Sequence, residues 1–518
     1  MVGGSMHDSV PVVRDISLIY PKDDLPKQEE RYANLLQTFH TTYQKRPQFI
    51  ARSPGRVNII GEHIDYSLYE VLPMAIAADV LIAVSTLSPE PNAPTINIAN
   101  VNSAKFNSAE FPLPAHGDIT IDASTLEWTN YFKAGFRGAV GLLRRENPSL
   151  VPSALQIVVD GTVPAGGGLS SSAAFVCASA LAVLQAYGQA DVIKKELVEL
   201  AIVSERAVGV NSGGMDQAAS VFSIKGDAVS IKFSPELRAE AIKFPTLDPP
   251  VTFLIAQSFV AADKHVTAPQ HYNLRVVECT LAAEVLAAKT GLRLAEDTSP
   301  LGHSIRGFQS KYFEKNLSAE RSEEDELREL IEVLDEHLPS LDGYTREEVA
   351  SMLSISVPEL KERFMTKFEV RSERFLLRQR AEHVLTEALR VITFRRLLTS
   401  SKEDSSLLDR LGALMDETQT SCRDNYQCSS PELDQLCQIA KKNGAYGSRL
   451  TGAVSTFLIL HLRVWSITRH LVFRQENYFL VTILGSQIFW HLRLTIILAN
   501  TFLRAGEVVR FILFLKTR

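Results

Sequence analysis

Val163 to Phe175 reads VPAGGGLSSSAAF, in which Gly166, Gly167 and Gly168 stand one residue ahead of Ser170, Ser171 and Ser172. Glycines let a backbone approach a ligand closely, and a helix start offers unpaired N–H groups and the positive end of its dipole to an anion. Such a stretch can cradle phosphate. The serine hydroxyls could reach phosphate oxygens and Mg²⁺, or they could simply cap the helix that follows. No Gly-Lys-Ser/Thr follows, so this is not a Walker loop, and the spacing is not that of a dinucleotide fingerprint.

Two further stretches carry charge on turns. Ser53 to Tyr66, SPGRVNIIGEHIDY, gathers Arg56, Glu62, His63 and Asp65 beside apolar strands. Carboxylates and imidazole accept or share hydroxyl protons while Arg supplies fixed donors, which suits a polyhydroxy ligand; a surface turn laced with ion pairs would use the same residues. Gly209 to Ser220, GVNSGGMDQAAS, holds one carboxylate, Asp216. It could take or orient a hydroxyl proton, or cap a helix.

The elements that must position these groups follow from periodicity. Leu155 to Val159 is a β-branched strand, a Pro and Gly turn follows, and an Ala-rich helix is expected over 171–187. Glu29 to Tyr43 has helical character, the chain from Phe49 reads as short strands broken by turns, and the charged region 281–398 shows apolar residues at helical spacing with solvated faces. At 518 residues and 45% apolar content the chain can build more than one domain, and a net charge of -6 gives no basis for nonspecific binding to nucleic acid or anionic membrane. No export signal and no internal repeat is visible. Five cysteines, odd in number and without C-x-x-C spacing, point to reduced thiols in the cytoplasm.

In this order, and with GSRLTGA at Gly447 to Ala453, the stretches resemble the galactokinases of the GHMP small-molecule kinase superfamily over about Ile16 to Ala453. PGRVNIIGEHIDY is similar to the galactokinase signature, and VGVNSGGMDQAASV, HYNLRVVE and SCRDNYQCSSPELDQLC are most similar to fungal members. The resemblance implies an α/β (α+β), two-domain GHMP kinase fold with its site in the interdomain cleft. Residues 1–204 would form the N-terminal domain, and 205–453 a C-terminal domain with a helical insertion. The implied activity is ATP-dependent phosphorylation of galactose to galactose 1-phosphate by a cytoplasmic monomer, with ATP and Mg²⁺ as cofactors. Galactose and ATP are its implied partners, and a transcriptional repressor is one more if the protein is bifunctional.

Residue by residue, the resemblance makes Asp216 the catalytic carboxylate and Arg56 the cation that lowers the energy of the charge around it. Glu62, His63, Asp65, Gly214 and Tyr272 match sugar-pocket positions. Gly166, Gly168, Ser170, Ser171 and Ser172 match the phosphate loop, with Ser172 and Glu205 beside Mg²⁺. Trp128 matches the adenine-stacking position, although a core Trp is equally compatible with its residue type. Two alternatives share these motifs: an N-acetylgalactosamine kinase, and a noncatalytic galactose and ATP sensor. Asn211 and Ser212 lean toward galactose, and the full-length GLSSSAAF sides with the enzyme.

After Ala453 the composition changes. The family continues LTGA into a Gly, Trp, Gly, Gly run, where this chain has Val454, Ser455, Thr456 and Phe457. Where those glycines hold positive φ, Val454 resists by about 1–3 kcal/mol, so the loop is expected to be misformed and the activity of this chain reduced. Leu458 to Leu462 can still pair as a strand. Beyond it His491 and Arg493 interrupt the apolar window that a membrane span would need. Val-Ser can be encoded as GTAAGT, an intron donor, so residues 454–518 would be retained intron, either a translated artefact or a rare isoform.

Overall fold

The computed structural model describes residues 8–87, 94–114, 117–122, 125, 127–209, 213–247, 251–257, 272–315, 321–366, 370–400, 404–452, 456–461, 481–485, 493–495 and 514–516. Helix α1 (Leu25–Tyr43) begins four residues ahead of the expected Glu29, because Pro26 in its first turn needs no N–H partner there. Strands β1 (Phe49–Ile60), β2 (Leu72–Thr86), β3 (Thr95–Asn100) and β4 (Ala109–Pro112), helix α2 (Thr129–Glu146) and strand β5 (Leu155–Gly161) follow. The five strands form one sheet in the order β1-β2-β5-β3-β4, antiparallel except for the β3–β5 pair.

Alternation decides which helices lie on which face. Leu81 and Ala83 of β2 and Val158 of β5 pack with Leu35 and Phe39 of α1. Their neighbours Val80, Ile82, Val84, Ile157 and Val159 point the other way, into the main core. There α3 (Ser171–Ala186) lies against β1, β2, α2 and α4 (Lys194–Arg206), and α5 (Met215–Phe222) packs on α3, α4 and β1. The strand and helix expected around the glycine and serine loop are thus present, at 155–161 and 171–186. The division expected between 204 and 205 falls inside α4, which runs unbroken to Arg206, so a cut there would split a helix.

The remainder begins with β6 (Ala228–Lys232), β7 (Arg238–Ile242) and β8 (Thr252–Gln257). Helices α6 (Tyr272–Lys289), α7 (Ile305–Lys315), α8 (Glu323–His337), α9 (Arg346–Met352), α10 (Val357–Met365), α11 (Leu377–Thr399), α12 (Leu407–Asp424) and α13 (Pro431–Lys442) come next. The charged run on α8 is the solvated face expected of it, with Leu327, Leu330, Val333 and Leu334 turned inward. Strand β9 (Gly447–Leu450) then pairs antiparallel with β10 (Thr456–His461), and β10 with β8. The strand expected from Leu458 therefore forms, starting at Thr456. A further strand, β11 (Val481–Gly485), pairs with the other edge of β8. Val454 and Ser455, and the window around His491, lie outside the described residues, as do Asn211 and Ser212. Among the described residues no helix is long and apolar enough to cross a membrane.

Candidate active site

The guanidinium of Arg56, on β1, joins three segments that are far apart in sequence. Its Nε donates to Oδ1 of Asp216 at 2.8 Å, its Nη2 forms an ion pair with the same oxygen at 2.6 Å, and its Nη1 donates to the carbonyl of Gly168 at 2.7 Å. A planar fork with several fixed donors can do this; a lysine could not. Arg56 is buried, while the Asp216 side chain keeps 23% exposure, so its carboxylate is anchored at one oxygen and still reachable. The capping role open to Asp216 does not apply. The N-cap of α5 is Gly214, at φ +116°, and Asp216 spends its carboxylate on Arg56.

The phosphate loop lies directly against this pair. The backbone N–H of Arg56 donates to the carbonyl of Leu169 at 3.2 Å. Ser170 is the N-cap of α3 in the left-handed region, φ 61°, yet its side chain makes no capping bond, and its buried Oγ has no partner among the described residues. Ser171 and Ser172 open the helix. The loop is backed by Gly452: a Cβ built there would sit 2.1 Å from the Gly168 carbonyl oxygen, so only glycine allows the approach. One turn into α3, the ring of Phe175 stacks on Trp128 at 5.9 Å between centroids and 11° between planes. Trp128 is half-buried and its Nε1 donates to the Asn107 carbonyl at 3.1 Å, which places it beside the phosphate-loop helix rather than deep in the core. Glu205, near the end of α4, is buried, and its Oε2 accepts a bond from Gln217 Nε2.

On the other side of Arg56 stands the acidic turn. The Glu62 carboxylate accepts from Arg449 Nη2 and from Asn58 Nδ2 at 3.3 Å. His63 is held at φ 60°, with Nδ1 3.2 Å from the Tyr66 hydroxyl and its ring 5.9 Å from Tyr272 and 5.1 Å from Tyr426. Its Nε2 is buried without a partner among the described residues. Burial works against charging this ring, but the Cys428 thiol and the Glu62 and Asp65 carboxylates hold it above its usual value. Asp65 Oδ2 accepts the N–H of Met215 at 3.3 Å, next to Gly214. Burial, followed by the charge of Asp216, pushes the Asp65 carboxyl up to about 6. Tyr272, the first residue of α6, is raised well above the ordinary phenol range by burial and then by Asp65, Asp216 and Glu205.

Arg56 is therefore in direct contact with both Asp216 and Gly168; Asp65 bonds the start of α5 at Met215, next to Gly214, and the rings of His63 and Tyr272 face each other at 5.9 Å. Sequence reasoning missed Asn58, Tyr66, Gln217, His383, Glu387, Tyr426 and Arg449. Arg449 lies within GSRLTGA, but nothing in that motif marks it as the partner of Glu62. A carboxylate pinned by a guanidinium, set between a glycine-rich helix start and a ring of carboxylate, imidazole and phenol groups, can align a hydroxyl for attack on a bound phosphate.

The galactokinase galactose-binding signature matches residues 37–86, the GHMP kinases N terminal domain matches 130–223, and the GHMP kinases C terminal matches 402–461. The chain is 42% identical over 446 residues to a galactokinase of Saccharomyces cerevisiae, covering 82% of this chain and 84% of that one. It is 38% identical over 479 residues to a galactokinase of Candida albicans, covering 90% and 92%. In structure it is similar to Lactococcus lactis galactokinase complexed with galactose. The TM-score is 0.57 and the identity 22%, over 83% of this chain and 90% of the other, a likeness of fold.

Proposed function

The chain belongs to the galactokinase family, and on that premise we propose that it transfers the terminal phosphoryl group of ATP to galactose, giving galactose 1-phosphate. The observation that carries this is the Arg56 fork, which ties the Asp216 carboxylate to the phosphate-loop carbonyl of Gly168. Phosphoryl transfer of this kind depends mainly on positioning and charge stabilisation. Asp216 accepts or orients the hydrogen of the reacting anomeric hydroxyl. Arg56 keeps that carboxylate in register with the loop and offsets the charge that gathers there. Glu62, His63, Asp65 and Tyr272 bond the remaining hydroxyls, with Gly214 letting the chain turn close beside them. The loop Gly166 to Ser172 takes the phosphates on backbone N–H groups at the positive end of α3, and Trp128 flanks the adenine.

Ser172 and Glu205 would hold Mg²⁺. A hydroxyl and a carboxylate are hard oxygen donors, and Mg²⁺ needs only one or two protein ligands when phosphates and waters complete its shell, so the pair fits. Gln217 fixes one Glu205 oxygen in place. When bound, the ion supplies neutralisation of phosphate charge. The five free cysteines support a reducing, cytoplasmic setting, and we take the protein to act as a monomer. The proposal also keeps residues 454–518 as a translated intron that lowers turnover; amplifying the spliced message tests it, and a single mRNA encoding the tail would defeat it.

The decisive assay couples ADP release to the full chain supplied with galactose, N-acetylgalactosamine or no sugar. Release that depends on galactose is expected. Release that is equal without sugar, or confined to N-acetylgalactosamine, would overturn the proposal.

A further inference from the structure

The acidic turn is gripped from behind by one helix. His383 and Glu387 stand a helical turn apart on α11 and so share a face. Glu387 Oε1 accepts the backbone N–H of Gly61 at 2.8 Å and that of Glu62 at 3.1 Å. Its Oε2 accepts Arg390 Nε and Thr418 Oγ1, both at 2.8 Å. His383 Nε2 lies 2.9 Å from the Glu62 carbonyl and Nδ1 2.8 Å from Ser421 Oγ. A carbonyl only accepts, so Nε2 carries the hydrogen and Nδ1 takes the Ser421 hydroxyl hydrogen.

Burial pushes the His383 ring down to about 3, which keeps it neutral with one donor and one acceptor. For Glu387 burial acts upward and is the largest single influence, but Arg390, His383 and Arg449 together outweigh it and hold the carboxyl down at about 2, fully charged. Both residues are fully buried. Between Ala381 and Val391 the other inward residues are Ala381, Val384, Leu385, Ala388 and Val391, with the buried Arg380–Glu278 ion pair just ahead of them, so a buried charge and an imidazole here are costly unless each is fully partnered. The turn also lies flush on the helix. Gly61 has φ +103°, and a Cβ on it would come 3.1 Å from Val391 Cγ2 and 3.0 Å from Val71 Cα.

We propose, on the strength of the galactokinase function above, that His383 and Glu387 are positioning residues for sugar recognition. They fix the peptide planes on both sides of Glu62, so that Glu62, strained His63 and Asp65 are set in place before galactose arrives. They act through the backbone and themselves occupy none of the turn's side-chain carboxylate or imidazole atoms. Galactose binding then avoids the cost of ordering that turn.

Two substitutions at one site separate the bonds. In H383Q the amide nitrogen can reach the Nε2 position and keep the Glu62 carbonyl; in H383N it reaches only the Nδ1 position and Ser421. In the full chain, H383N should raise KM for galactose by about tenfold or more while KM for ATP stays nearly unchanged. Amide hydrogen exchange of the peptide covering Gly61 and Glu62 should quicken by about tenfold as the turn loosens. H383Q should recover most of both losses. Equal rises in KM for the two substrates, or H383N and H383Q behaving alike, would overturn the proposal, and so would unaltered exchange at Gly61 and Glu62 in H383N. Failure of the unaltered chain on galactose would instead bring down the functional assignment. The exchange measurement needs no substrate and still decides whether His383 holds the turn.

Discussion

The phosphate loop and the acidic turn meet at Arg56, yet they are built in opposite ways. The loop's own turn is closed by near neighbours, with Arg56 and Gly452 only bracing its carbonyls from a distance: the Gly167 N–H donates to the Pro164 carbonyl at 3.2 Å, and α3 starts at once, with the Ala174 N–H on the Ser170 carbonyl at 3.0 Å. The turn is shaped from afar, by His383, Glu387 and Arg449, which lie 321, 325 and 387 residues from Glu62. The difference follows from the ligands. A phosphate offers equivalent charged oxygens, so N–H groups at a helix start suffice. A sugar differs from its isomers only in where its hydroxyls lie, and acceptors that read them must be fixed in three dimensions.

The junction between the two halves should be the most sensitive point. Asp216→Ala should lower kcat by about 10²- to 10⁴-fold, and steady-state kinetics at saturating ATP and galactose measure it; near-normal kcat would take the carboxylate out of the chemistry. On the distant side, Arg449→Leu leaves Glu62 as a buried charge without its partner. It should cost about 3–5 kcal/mol of stability, read from urea denaturation. A loss under 1 kcal/mol, in the range of about 0–1 expected of an exposed pair, would mean that the turn does not depend on long-range support.

A smaller effect should appear on the nucleotide side. In Gly452→Ala the new methyl meets the Gly168 carbonyl. KM for ATP should rise by about tenfold, equivalent to roughly 1–3 kcal/mol of local strain, with KM for galactose little changed. A shift in the galactose value alone would erase the division between the two halves.

The mildest test uses acidity. Asp65 is held up at about 6 in the folded protein, above the unfolded carboxylate. Its contribution to stability is therefore complete below the unfolded value and is lost as pH rises through 6, while its capacity to accept a sugar hydroxyl appears over the same interval. Galactose affinity should strengthen by roughly tenfold between pH 5 and pH 7, following the ionised fraction, and D65N should flatten that slope. An unchanged slope in D65N, measured as KM for galactose against pH, would assign the titration elsewhere.

What could be read from the amino-acid order divides along the same line. Gly166 to Ser172, the strand before it and the helix after it are local, and spacing alone delivered them. Asp216 and Arg56 were legible as residue types with a motif behind each, and the fold puts them 2.6 Å apart. His383 and Glu387 were not legible. On an amphipathic helix a polar pair one turn apart looks like a solvated face, and only the docking of α11 onto β1 and its turn reveals that it is buried. The same holds for Tyr66 and Tyr426, whose hydroxyls bond to each other across 360 residues of sequence. The boundary expected between 204 and 205 lies inside a helix, α4, because composition there does not mark where the helix ends.

The pairing of Glu62 with Arg449 also has a meaning in time. A chain leaving the ribosome at about 5–20 residues per second exposes Glu62 some 387 positions before its counter-charge exists, a wait of roughly 20–80 s. For that interval the N-terminal sheet can fold, but its carboxylate must remain hydrated. The Glu62 turn is thus among the last parts of the molecule to gain its full set of partners.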